Sequence, residues 1–177
     1  MTLWWIINIF LLFIIILLLL LLSMFWPPDS PWAPWWRTNR RTARAACKLA
    51  NISSKDTVYE LGSGDGTFLS VAAKDFEARG VGIEIDPLRF MISTLMIHII
   101  RVQNKIKIVR KNFFDVNISK ATVVFVYLVP KALRRLKPKF LKELKRGTLL
   151  VSFKYKVNLP LVAYDKANDI YLYKIKK

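Results

Sequence analysis

Seven consecutive residues, Glu60-Leu61-Gly62-Ser63-Gly64-Asp65-Gly66, combine two acids with three glycines at alternate positions. Glycine there permits a tight turn and lets a ligand meet the backbone without a Cβ in the way. The β-branched and aromatic run before the turn reads as a strand, residues 57–61, and the segment after it has helical spacing. A helix opening on such a turn offers unpaired N–H groups and the positive end of its dipole to a flat or anionic ligand. A second acid, Glu84, ends the next strand-like run. A carboxylate about 20 residues past a glycine turn is where nucleotide-binding α/β folds hold ribose hydroxyls. The spacing favours that role over an ordinary loop acid.

Elements on both sides must position these residues. Strand and helix patterns alternate: strands at 57–61, 78–86, 105–110, 122–128, 148–153 and 170–175, with helices at 37–49, 68–74, 87–101 and 131–146. That alternation is the pattern of a three-layer α/β domain with a mainly parallel sheet. The fourth strand is continuously apolar, as burial on both faces requires. The helix after it carries eight basic residues and one acid, Glu143, and Pro138 is expected to divide it in two. The helix at 87–101 has Phe90, Met91, Leu95 and Ile99 on one side, and its lone His98 reads as structural.

The 177-residue chain has a net charge of +17, yet nothing before Asp29 is charged. Residues 3–26 are almost wholly apolar, longer than the roughly 20 needed to cross a bilayer as a helix. Trp4, Trp5 and Trp26 fit the aromatic belts at the two interfaces. A cleaved signal would want a basic leader, a shorter apolar core and a small-residue cleavage site, and none is present. The expectation is a single-pass anchor in the lipid bilayer. Arg37, Arg40, Arg41, Arg44 and Lys48 crowd the downstream side, which places the N-terminus outside and the folded domain in the cytoplasm. Residues 27–36 form a stiff proline and tryptophan spacer. Its tryptophans either rest among headgroups or fold back as a pocket wall, with Trp35 and Trp36 the candidates for that wall. Residues 37–177 make up the basic domain, suited to acidic lipid headgroups or, as the lesser alternative, to nucleic acid. Cys47 is unpaired and reads as a buried hydrophobe. One His and one Cys make no structural zinc site.

The acid followed by three alternate glycines resembles the first motif of class I S-adenosylmethionine-dependent methyltransferases. A nicotinamide-binding domain would instead show G-x-G-x-x-G, and here the third glycine comes one residue early. The resemblance implies a Rossmann-like domain with a seven-stranded sheet of order 3-2-1-4-5-7-6 and an antiparallel last strand. It implies S-adenosyl-L-methionine as cofactor, held by Glu60, Gly62, Ser63, Gly64, Asp65 and Gly66. It also implies Glu84 on the ribose, and Asn112 and Phe113 beside the adenine, where the family usually has an aspartate. Asn112 retains a carbonyl able to accept from the adenine amino group.

The apolar span, Pro31-Trp32-Ala33-Pro34 and Val129-Pro130 after the fourth strand are together similar to a narrower group. These are membrane-anchored protein-lysine methyltransferases of the ATP synthase c subunit and the adenine nucleotide translocase. That resemblance implies lysines of a membrane or membrane-proximal protein as acceptors. Tyr127, at the carboxyl end of the fourth strand, is the residue placed to line the acceptor pocket, although Tyr127-Leu128 departs from the smaller pattern of that group. An apolar aromatic pocket disfavours an ammonium and so helps a lysine arrive neutral. The alternatives are a lipid, quinone or RNA acceptor docked on the basic helix, or a non-catalytic cofactor-binding module at the membrane. No Asn-Pro-Pro-Tyr type motif of amide or adenine methylation follows the fourth strand.

Overall fold

A computed structural model describes residues 2–25 and 36–176. The spacer therefore lies outside the described residues except for Trp36, and the assignment of Trp35 to a pocket wall lies outside them too. The first element, α1 (Thr2–Phe25), is a single helix, and its side chains from Leu3 to Leu22 are solvent-facing with none buried in the protein. Its length and composition suffice to cross a membrane.

The domain begins at α2 (Arg40–Leu49), started by Asn39, whose Oδ1 accepts from the Thr42 N–H at 2.8 Å. Such a cap is worth about 0.5–2 kcal/mol. Then come β1 (Thr57–Leu61), α3 (Thr67–Asp75), β2 (Arg79–Glu84), α4 (Pro87–Ile99), β3 (Ile106–Arg110), β4 (Val123–Val126), α5 (Pro130–Glu143), β5 (Leu149–Phe153), β6 (Leu161–Asp165) and β7 (Ile170–Lys174). The strands form one sheet of order β3-β2-β1-β4-β5-β7-β6. β1 to β5 are parallel, and β7 runs antiparallel to both β5 and β6. This is the expected order.

Alternation along the central strands splits the core into two halves. Val58, Val123 and Phe125 face α2 and α3, while Tyr59, Leu61, Val124 and Val126 face α5. The Phe68 ring of α3 stacks on Phe125 of β4 at 3.8 Å between centroids, and both side chains are fully buried. Burying a side chain of that size stabilises by roughly 1.5–3 kcal/mol. Helix α3 sits close on the sheet because β2 has no side chain at position 82. A Cβ there would lie 2.9 Å from Leu69 and 2.8 Å from the Ser63 hydroxyl.

Three features differ from the sequence reading. Helix α5 runs unbroken through Pro138. The carbonyl that Pro138 leaves without a partner belongs to Arg134, and both residues are exposed, so water can satisfy it. Strand β6, which the resemblance implies, is absent from the six strands read from the residue pattern. It is an edge strand whose Leu161, Val162 and Tyr164 are exposed, so it lacks the buried alternation that marks strands. Finally, β4 ends at Val126, so Tyr127 and Leu128 begin the loop beyond the sheet.

Candidate active site

At the carboxyl ends of β1 and β2 the backbone turns away from the sheet and opens a cleft. The Ile83 carbonyl accepts from the N–H groups of both Gly62 (2.8 Å) and Ser63 (3.0 Å), which ties the glycine turn to the end of β2. The Gly64 N–H donates to Glu84 Oε2 at 2.8 Å, and the other carboxylate oxygen accepts from the Asp86 N–H at 3.0 Å. The glycine turn and the acid 20 positions beyond Gly64 thus meet in space. Gly66 is the N-cap of α3 at φ 75°, and a Cβ there would press to 3.3 Å of the Ser93 Cβ on α4. Asp65 accepts from the Thr67 N–H at 3.1 Å and from Arg37 Nε at 2.8 Å.

The cleft holds about 670 Å³ of open space, its solvent mouth included. Its lining includes Glu60, Gly62, Ser63, Gly64, Asp65, Glu84, Phe113, Trp36 and Tyr127, all singled out from sequence. Gly66 and Asn112 are not part of that lining. The Asn112 Oδ1 accepts from the Phe114 N–H at 3.0 Å, an Asx turn that sets the backbone carrying Phe113. Sequence reasoning missed Arg37, Thr38 and Arg89 as parts of the wall. Arg89 was legible in principle, as a lone charge in an otherwise apolar helix, three residues after the N-cap Asp86.

Burial dominates the electrostatics. Glu60 is held well above the usual carboxylate range by burial first, then by the nearby Asp65 and Glu84 carboxylates. Glu84 is also raised by burial, partly offset by the N–H groups of Asp86 and Gly64. Two buried atoms of residues in that wall, Glu60 Oε2 and Ser63 Oγ, have no hydrogen-bond partner among the described residues. A chain of +17 therefore gathers carboxylates and unsatisfied acceptors at one cleft. Those groups suit a ligand that brings positive charge and hydroxyl or amine donors.

On the far side of the cleft, the ends of β4 and β5 present an aromatic shelf. The Tyr127 ring lies 4.4 Å from Phe153 and 6.5 Å from Tyr155, centroid to centroid. The Tyr127 phenol is raised by burial and by its neighbour Tyr155. Tyr127 also lines a second cleft with Asn39, Thr42, Phe153 and Lys154, so it stands where the two openings meet. The Lys154 ammonium sits 4.9 Å from the centroid of the Trp36 ring. Phe153 and Tyr155 were not foreseen, because in sequence they end a strand with nothing to show which way they point.

The sequence pattern of the ANTKMT methyltransferase domain matches residues 60–160 of this chain. The chain belongs to this family. A protein-lysine N-methyltransferase of Saccharolobus islandicus is 39% identical over 135 residues, covering 76% of this chain and 82% of the relative. Among solved structures, an RNA methyltransferase from Salinibacter ruber in complex with S-adenosyl-L-homocysteine superposes with a TM-score of 0.76. It is 31% identical and covers 80% of this chain and 95% of its own. A tRNA (m1A58) methyltransferase from Aquifex aeolicus shares the fold at 18% identity and a TM-score of 0.61, over 80% of this chain and 71% of its own. The protein is an S-adenosyl-L-methionine-dependent methyltransferase.

The residues fit that cofactor. Bound, it supplies a methyl group on a sulfonium for in-line displacement. Glu60, whose Oε2 has no partner among the described residues, would accept from a positively charged group of the cofactor, and Glu84 would have a second lone pair on each carboxylate oxygen for hydroxyl donors. The Phe113 ring offers a flat apolar wall. The methyltransferase thus contributes mainly position and the exclusion of water.

The raised Glu60 carboxyl has a measurable consequence. In the free folded protein it keeps a proton that the unfolded chain has already lost. The free protein therefore loses stability as pH rises from the ordinary carboxylate range through the folded value of Glu60. A cation beside Glu60 lowers that value, so cofactor binding should release a proton, and affinity should climb with pH across the same window. Calorimetry in two buffers of different ionisation enthalpy reads the release, and Glu60→Gln should abolish it. Equal heats in both buffers for the parent protein would contradict this account.

Proposed function

We propose that this methyltransferase modifies lysine side chains of a membrane or membrane-proximal protein. The observation that carries this reading is the aromatic shelf of Tyr127, Phe153 and Tyr155 at the edge of the cofactor cleft. Ring faces attract an ammonium, and an apolar surround disfavours its charge, which is the preparation a lysine nucleophile needs. The chain already makes one such contact within itself, Lys154 on Trp36. The Saccharolobus relative, named as acting on protein lysine, supports the same acceptor. Helix α1 supports a membrane location as an uncleaved anchor, with the basic residues that follow it on the cytoplasmic side.

An RNA acceptor is the second reading. It is favoured by the Salinibacter structure and by the basic outer face of α5, which offers Lys131, Arg134, Lys142 and their neighbours to an anionic partner. Incubating membranes and total RNA with the full chain and methyl-labelled cofactor separates the two. Label in protein, recovered as methyllysine after hydrolysis, is the expected result. Label confined to RNA, or extracted with lipid, would overturn the lysine reading.

A further inference from the structure

Helix α4 is amphipathic the wrong way round. Toward the sheet and the cleft it buries Arg89, Ser93 and Ile97, two of them polar. Toward solvent it presents Met91, Leu95 and Ile99, which are 65%, 61% and 63% exposed. Spaced by four, these three form one stripe along the helix, and Leu88 and Ile92 flank it. The apolar spacing seen in the sequence therefore marks the outer surface of the helix. An apolar stripe of this kind on a protein surface marks a contact with a partner or a membrane.

We propose that the outer face of α4 docks on the bilayer, with Met91, Leu95 and Ile99 inserted at the boundary between headgroups and acyl chains. The inference rests on α1 being a membrane anchor. Three observations favour lipid as the occupant. Ten residues, 26–35, separate α1 from Trp36, so the chain there spans at most roughly 40 Å and keeps the domain near the membrane. No acid lies on α4, so nothing along it repels an anionic leaflet. Beside it, Arg37 and Arg40 line a groove shared with Met96 and Ile100, and Arg101 follows its C-terminus, a basic rim to an apolar face. That combination is how interfacial helices lie in a membrane surface.

The consequence reaches the chemistry. Ser93 of α4 abuts Gly66 of the glycine turn, and Asp86, the N-cap of α4, is bonded to Glu84. Docking through α4 holds the cofactor cleft within about one helix diameter, ~10 Å, of the headgroups. Acceptors are then side chains that emerge at the bilayer surface. Helix α5 lies on the other side of the sheet, so its basic face turns away from the lipid.

Site-specific labelling tests this. Cys47 is fully buried, and burial first, with Glu60 and Asp75 nearby, pushes its thiol up to about 12, so the native cysteine should not compete for the label. The full chain carrying Leu95→Cys, or Leu141→Cys on α5 as the contrasting site, is labelled with an environment-sensitive fluorophore. Each is reconstituted in phosphatidylcholine vesicles containing some phosphatidylserine, after cofactor binding has been checked against the parent. The expected result is a blue-shifted emission at position 95 that lipids spin-labelled near the headgroup quench about twofold or more, with position 141 unquenched. A blue shift without lipid quenching would mean that protein, a second copy or the acceptor, covers the face, and would overturn the proposal. So would water-like emission at 95, or quenching at 141 instead. Carbonate extraction of the same vesicles keeps the two readings apart. A chain that stays with the membrane but shows no quenching at 95 loses the docking and keeps the anchor. A chain released by carbonate loses both.

Discussion

Glu84→Ala should weaken S-adenosyl-L-methionine binding by at least about a hundredfold, while the domain stays folded. Glu84 performs two tasks with one carboxylate. It closes the glycine turn by accepting from the Gly64 and Asp86 N–H groups, and it keeps lone pairs for hydroxyl donors in the cleft. Hydrogen bonds to a charged group contribute about 1.5–3 kcal/mol each, so loss of two ligand bonds alone accounts for two orders of magnitude or more. Release of the turn adds to that. Glu84→Gln is the milder change. It keeps one acceptor oxygen for the turn but sets an amide NH2 against the other N–H, while removing a carboxylate that burial already disfavours as an anion. Its melting temperature should therefore fall less than that of Glu84→Ala, while affinity falls tenfold or more, by about 1.4 kcal/mol. Titration calorimetry and thermal melts on the same preparations measure both. Parent-like affinity for Glu84→Gln would show that the carboxylate serves the turn and not the ligand.

This site was legible in sequence because its chemistry is carried by short-range pattern. Three alternate glycines between a strand and a helix permit a tight turn, and an acid at the end of the adjacent parallel strand lies beside it, since β1 and β2 end together. Gly64 and Glu84 are bonded for that reason. Of the aromatic shelf, only Tyr127 was legible, with Trp36 also named from sequence as a wall of the cleft. Phe153 ends β5 and Tyr155 lies two residues beyond it, and no local pattern specifies the register of that strand against β4. Arg37 enters through the ion pair with Asp65, a contact over 28 positions that sequence spacing does not encode. The strand order followed from the family resemblance, whereas edge strand β6 had no buried face to write a pattern. Pro138 misled for a related reason. A proline rule drawn from buried helices applies weakly where the freed carbonyl faces water. On α4 the apolar stripe was visible, but its direction was not. Only packing reveals that Arg89 and Ser93 point inward.

Tyr127 offers the sharpest test of the proposed lysine acceptor. Its ring fills the junction of the two clefts and packs on Phe153. If that ring face receives an ammonium, Tyr127→Ala should lower kcat/KM for the labelled protein acceptor about thirtyfold or more. Such a loss corresponds to a desolvated cation–π contact of about 2 kcal/mol, with the missing wall against water adding to it. Tyr127→Phe keeps the ring and should stay within about threefold, since the quadrupole of the ring needs no hydroxyl. The pH profile adds an independent readout. A phenol held above its ordinary value by burial stays protonated through neutral pH, so Tyr127→Phe should leave the rising limb of the kcat/KM profile where it was. A shifted limb, or a Phe variant as impaired as Ala, would instead assign the hydroxyl a proton-transfer role. Either outcome distinguishes a receiving surface from an acid–base group, and the packing of Tyr127 on Phe153 favours the surface.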